Sequence, residues 1–354
     1  MNKNLLIYLS ILLASCLACS NDSTEEDKPG DTDFTITVDA VCPNFVRIEA
    51  LPDEGNTTWQ WSLNGDRLTE TKSSFTHYFS EKGSYEITLT ETRDGKKAIK
   101  AKTVTISQNS YYHSQGESLW WNDEFDGSQI NAAYWNHDQG TGIWGNNEWQ
   151  TYTNKSDNSF IREGKLILKA IKAGAGQKVG DYTSARLTTR GKKEISRGRV
   201  EVRAKLGGGT GLWPAIWMFG NKAAPYYSEL DIMEYVGCDK DIIYGAIHTT
   251  ETLEGSRKIS GSRKVPGVEN KFHVYGMNWT DGKIEFYLDT PENIYLTFTA
   301  EDTSNPRIWP FNKELYLILN IAVGGDWGGM QGVDDGIFPR EMEVDYIRIF
   351  TKNK

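Results

Sequence analysis

Short runs of alternating apolar and polar residues, each closed by a turn signal, fill the chain from about residue 33 onward. FTITVDAV, FVRIEAL, TTWQWSL, SYEITLTET and AIKAKTVTIS fall between residues 33 and 107, with Asn64-Gly65-Asp66, Lys82-Gly83 and Arg93-Asp94-Gly95 among the breaks. Period-two alternation sends successive side chains to opposite faces of a strand, and Gly, Asn and Asp supply the turns. About seven short strands in some 75 residues predict a small β-sandwich of immunoglobulin type without its disulfide. Residues 108–118 read as a linker. Beyond them GRVEVRAKL alternates strictly, with Val200, Val202, Ala204 and Leu206 on one face and Glu201, Arg203 and Lys205 on the other. HVYGMNW, KIEFYLD, LYLILNIAV and EVDYIRIF continue in the same manner. No long stretch has helical period and no unit repeats at a fixed spacing, so residues 119–354 are expected to form one large all-β, two-sheet domain.

The first 32 residues do not fit this pattern. Lys3 precedes an apolar run from Leu5 to Leu13 that is too short to span a bilayer as a helix, and Leu13-Ala14-Ser15-Cys16 follows. This stretch resembles a bacterial lipoprotein signal, in which the cysteine becomes the lipidated first residue; Cys19, ahead of SNDSTEED, competes with Cys16 for that role. Residues 1–19 are therefore expected to be a signal peptide and 20–32 a flexible, acidic tether. The expected location is the bacterial cell envelope, at the outer-membrane surface or in the periplasm, with the membrane touched only through the lipid. A net charge of −9 and a pI near 5.3 argue against nucleic acid as a partner. Cys42 and Cys238 fall in different expected domains, so no disulfide framework is implied. Nothing calls for more than a monomer.

The chemistry concentrates in SELDIMEYVG, residues 228–237. Glu229 and Asp231 share one face of a strand, but Glu234 lies five residues beyond Glu229 and falls on the other. A helix would leave the two glutamates roughly 140° apart. The residues between them are Leu230, Ile232 and Met233, so one side of the strand packs on apolar core. Three carboxylates on such a strand are costly unless they line a wet cleft. One inserted residue reconciles the spacing with a common face, and a β-bulge at Ile232-Met233 is predicted. Four regular steps span roughly 13 Å between Cα atoms. Glutamate side chains leaning together on a curved sheet would then approach the about 5–5.5 Å used by retaining glycosidases. Asp231 between them would share a proton or hydrogen bond with its neighbour.

ELDIME resembles the bulged Glu-x-Asp-x-x-Glu signature of glycoside hydrolase family 16, specifically its laminarinase-like branch. GNNEWQTYTN (145–154), YTSARLTT (182–189), GRVEVRAK (198–205), GLWPAIWMFG (211–220), AIHTT (246–250), LNIAVGGDW (319–327) and FPREMEVDYIRIF (338–350) stand around it in that family's order. The resemblance implies a concanavalin-like β-jelly-roll with a cleft on its concave sheet, Glu229 as nucleophile, Glu234 as general acid/base and Asp231 orienting Glu229. It implies substrate contacts at Asn147 and Arg186, a stacking role for Trp213, and either stacking or a core role for Trp217. His248 points toward the acid/base region or is a core histidine. Trp309 and Trp327 would form further subsites at the cleft ends. No cofactor is required for catalysis, while a structural Ca²⁺ held by Glu124, the Gly164 carbonyl and Asp345 would tie the first and last strands together. The smaller domain resembles a polycystic-kidney-disease (PKD) domain around Thr58–Asp66 and HYFSEKGSYEITLTET.

The implied activity is an endo-β-glucanase acting on β-1,3-glucan (laminarin) or mixed-linkage β-1,3-1,4-glucan. A hydrolase of a β-galactan such as agarose and a non-catalytic surface glycan-binding protein stand as alternatives. Ala224-Pro225-Tyr226-Tyr227-Ser228 and Asp326-Trp327-Gly328-Gly329 depart from the branch's usual residues at the cleft rim, which leaves linkage preference open.

Overall fold

The computed structural model describes residues 32–40, 42–51, 56–220, 226–255 and 257–352. The expected signal peptide, with Cys16 and Cys19, and the tether up to residue 31 lie outside the described residues.

Phe34–Val38, Phe45–Ala50 and Ser74–Tyr78 form one sheet of a small sandwich. Thr57–Leu63, Asp66–Arg67, Gly83–Arg93 and Lys96–Ile106 form the other. Trp61 is fully buried between them, with Phe34 and Phe75 set edge-on at ring distances of 5.3 Å. Its indole N–H donates to the Lys72 carbonyl, which satisfies the polar edge of a core aromatic. The segment expected as a linker is packed instead. A helical turn, Tyr111–Ser114, lays Tyr112 on Phe350 at 3.7 Å, and the Tyr112 hydroxyl donates to Glu201 at 2.6 Å. That contact explains a departure from the alternating pattern of GRVEVRAKL. Val200, Val202 and Ala204 face the core as expected, yet Glu201 on the opposite face is also buried, bonded by Tyr112 and Tyr287.

The second domain is two facing sheets around a single large core. In one, the strands run in the order Ser260–Lys264, Ile242–Thr249, Ser228–Tyr235, Leu212–Gly220, Leu315–Val323, Arg186–Thr188, Asn136–His137. The acid-bearing strand is therefore internal, paired on both edges. The other sheet centres on Arg340–Lys352, which pairs along its length with Gly198–Lys205 and at its ends with Lys165–Lys172 and Glu117–Asp123. First and last strands of the domain are thus joined directly by main-chain hydrogen bonds.

Period-two burial on the internal strands sets one face in the core and leaves the other for a cleft. On Ile242–Thr249, Ile243 and Ile247 are fully buried while Tyr244, Ala246 and His248 are partly exposed. On Leu212–Gly220, Leu212, Ile216 and Met218 join the core while Trp213, Ala215 and Trp217 line the cleft. Each buried aliphatic side chain contributes about 1.5–3 kcal/mol relative to exposure.

Trp309 corrects the sequence expectation. It is 1% exposed, packed against Phe298 and Phe311 with its N–H on Asn312 Oδ1, and belongs to the core and not to the cleft. Trp309 lies outside the strands, and loop position carries no information about which way a ring turns. Trp309→Ala is expected to cost about 3–5 kcal/mol of stability. Chemical denaturation measures that loss, while the affinity of the folded fraction for an oligosaccharide should be unchanged.

Candidate active site

The cleft has a volume of 690 Å³ and is floored by the internal strands of the sheet carrying Ser228–Tyr235. Glu229, Asp231 and Glu234 all line it. The register shows how: Asp231 pairs with Ala246 and Glu234 with Tyr244, so three steps on one strand oppose two on its neighbour. On the other edge, Asp231 pairs with Trp217 and Met233 with Ile216, again with one residue too many. The bulge lies at Ile232-Met233, and both of these side chains are fully buried in the core. Consecutive residues pointing the same way are what an inserted residue produces. Gly245 sits opposite, where an added Cβ would meet the Phe286 and Tyr295 rings at 2.9 Å. The Tyr295 hydroxyl donates to the Ile232 carbonyl, giving the disrupted ladder a replacement partner.

Each acid has a distinct environment. Glu229 is half-buried and accepts a hydrogen bond from the Tyr227 hydroxyl at 2.8 Å. Burial, and then Glu229 alongside, push the Tyr227 phenol well above its usual range, which keeps it a donor. Asp231 is 5% exposed; its burial and the adjacent Glu229 hold its carboxyl well above the ordinary carboxylate range. It therefore carries a proton where an exposed aspartate would not. His248 Nε2 lies 3.2 Å from Asp231 Oδ2, and His248 pairs across the strands with Glu229. Glu234 accepts from Trp213 Nε1 at 3.0 Å. Burial, and next Asp231, raise its pKa strongly, while the Trp213 N–H pulls the other way.

The remaining expected residues divide. Trp213, Trp217, Arg186, His248 and Trp327 line the cleft. Arg186 lies over the Trp217 ring at 4.6 Å and the Trp144 ring at 5.0 Å, with its Nε on Asp138. Trp217 donates to Asn320 Oδ1 at 2.7 Å, and Asn320 in turn donates to the Tyr152 hydroxyl. Trp213 and Tyr244 both meet Trp327 edge-on at 5.1 Å, so these rings form one aromatic wall. Asn147 is not among the lining residues. Its amide donates to both carboxylate oxygens of Asp326, and its neighbours Asn146 and Glu148 face the cleft. Adjacent left-handed residues, Asn146 at φ 50° and Asn147 at φ 52°, twist the turn so that Asn146 meets the cleft while the Asn147 amide turns to Asp326.

Trp144, Glu148, Tyr227, Tyr244 and Asn320 were missed. Two of them carried a signal: Tyr227 has the strand parity of Glu229, and Asn320 is the one amide in LYLILNIAV. Among the described residues, Glu229, Asp231 and His248 are also the one group whose ligand atoms approach within 4.8 Å of each other as a metal site would require. Their mutual pairing accounts for that closeness.

Glu124, Gly164 and Asp345 do meet around a single 310 Å³ pocket on the outer face of the other sheet. They do not fit a calcium ion. Glu124 is held by Arg348 through Nε and Nη2, both at 2.8 Å, and Asp345 is bonded by Arg203. A dication there would face guanidinium groups already seated on its ligands.

The family model of glycosyl hydrolases family 16 matches residues 145–348. A beta-glucanase of Rhodothermus marinus is 42% identical over 246 residues, 66% of this chain and 84% of that one. The crystal structure of the laminarinase from Rhodothermus marinus superposes with a TM-score of 0.62 at 40% identity, covering 67% of this chain and 98% of the other. A Z. galactanivorans protein solved in complex with laminaritriose and laminaritetraose has a TM-score of 0.58 at 31% identity, over 66% and 99% of the two chains.

The raised acids make stability pH-dependent in a defined sense. A folded-state pKa above the unfolded one means the native state binds more protons, so stability falls as pH rises from the ordinary carboxylate range toward the folded values. Glu234→Gln removes one such group. Calorimetric scans should show the variant gaining on the native chain as pH increases from 5 to 8. A constant difference across that range would contradict the assignment.

Proposed function

This chain belongs to glycosyl hydrolases family 16 and is a glycoside hydrolase, and from that premise we propose that it hydrolyses β-glucan by double displacement. The observation that carries the proposal is the bulge, which sets two glutamates on one cleft face in unlike environments. Glu234, buried and raised in pKa, holds its proton near neutral pH and donates it to the departing sugar oxygen. Glu229, aligned by Tyr227, attacks the anomeric carbon from the opposite side and forms a glycosyl-enzyme. The leaving sugar departs from the cleft, and Glu234, now ionised, takes a proton from water as the water releases the intermediate. Asp231 touches the nucleophile's field rather than the sugar. Protonated, it spares Glu229 a second adjacent negative charge, and His248 fixes its orientation.

The wall of Trp213, Trp327 and Tyr244 gives flat apolar faces to the CH-rich sides of pyranose rings. Arg186, Asn146, Glu148 and Asn320 bring hydrogen-bonding groups to the same cleft for the hydroxyls. The substrate supported best is β-1,3-glucan, followed by mixed-linkage β-1,3-1,4-glucan; the glucan-active relatives and the oligosaccharide-bound neighbour support that order.

Product profiles on laminarin, lichenan, barley glucan and agarose, run side by side, test the reading. New reducing ends should appear from laminarin first and should be absent from agarose, and laminarin bound but uncut would sink the enzyme assignment. Glu229→Ala should lower kcat on the order of 10³-fold or more. Trp213→Phe should lower kcat by roughly 10–100-fold. It should also move the alkaline limb of the pH profile upward, because the lost N–H favoured the ionised form of Glu234.

A further inference from the structure

We propose that Arg47 of the N-terminal sandwich is the resident cation beside Asp126 in the acidic pocket on the outer sheet, so that the sandwich completes the jelly-roll there without a divalent ion. The pocket lies between the domains. Asp39, Phe45 and Arg47 enter it from the sandwich, and Glu124, Asp126 and Gly164 from the jelly-roll. Arg47, on Phe45–Ala50, places a guanidinium nitrogen on Asp126, and a Cβ added at Gly164 would lie 3.6 Å from that same nitrogen. Its head therefore sits at once against a carboxylate and against the turn whose carbonyl a calcium ion would require.

Arg348 bolts the second half of the junction. It is 1% exposed, doubly bonded to Glu124, and its Nη2 lies 3.2 Å from Asp39 of the sandwich. The rings of Phe45 and Tyr346 lie 3.4 and 3.5 Å from its guanidinium carbon, one from each domain. A buried arginine so enclosed is held by partners on both sides, and removing either side strands its charge. The sandwich is on this geometry a structural part of the enzyme and not a spacer.

Thermal unfolding of the full-length chain in excess EGTA and in millimolar CaCl₂, with terbium luminescence as a binding readout, tests this independently of any glucanase activity. The native chain should melt at one temperature in both buffers and bind no terbium at this pocket. Arg47→Ala in EGTA should melt lower by roughly 3–6 °C. Calcium should not restore that loss and terbium should stay unbound, because Arg348 and Arg203 still hold Glu124 and Asp345. Arg47→Lys should recover stability without metal. A native chain that loses stability in EGTA, or an Arg47→Ala chain that keeps its melting temperature, would overturn the proposal.

Discussion

One inserted residue in an internal strand governs the cleft. Without the extra step at Ile232-Met233, Glu234 would turn into a core made of Met218, Ile247 and their neighbours, and Glu229 would face the cleft without it. A bulge costs ladder hydrogen bonds, and an internal strand has no water at its edges to replace them. The structure answers with Tyr295 on the Ile232 carbonyl and with a glycine opposite, at Gly245, where any side chain would strike two aromatic rings. The bulge is thus held by the packed core beneath it, and the geometry of the acids follows from that core.

The same placement shapes the electrostatics. Three carboxylates with an apolar floor cannot all be ionised without cost, and the site separates them by unequal burial and by one dedicated donor each for Glu229 and Glu234. The Tyr227 hydroxyl and the Trp213 indole N–H each donate to one carboxylate while presenting apolar ring surface. Asp231, deepest and nearest its neighbour, takes up the proton. The proposed division of labour between an ionised and a protonated glutamate rests on this asymmetry, which the strand alone would not create.

Much of this was legible in the sequence because strand parity is unforgiving. A spacing of five between two acids, in a run containing Leu230, Ile232 and Met233, has few solutions, and the bulge was the one compatible with a buried face. The two-sheet architecture was similarly legible from alternation in runs such as GRVEVRAKL. What escaped was decided by long-range packing or by local turn twist. Trp309 reads as a subsite aromatic and is core; Asn147 reads as a cleft contact and its amide turns to Asp326; Glu201 lies on the face opposite Val200 and Val202 and is buried all the same, by Tyr112 from 89 residues away. The arginine-filled pocket could not be read at all, since Arg47 and Asp126 are 79 residues apart and belong to different domains.

The stereochemistry of the first product reports most directly on whether the bulge brings two glutamates into one catalytic pair. Proton NMR of the anomeric signals, recorded in the first moments of laminarin cleavage, distinguishes the outcomes. Two acids close enough for Glu229 to attack sugar directly release the β-anomer first, with the α-anomer growing in only through mutarotation. Initial release of the α-anomer would mean that a water stands between them, and would contradict Glu229 as nucleophile.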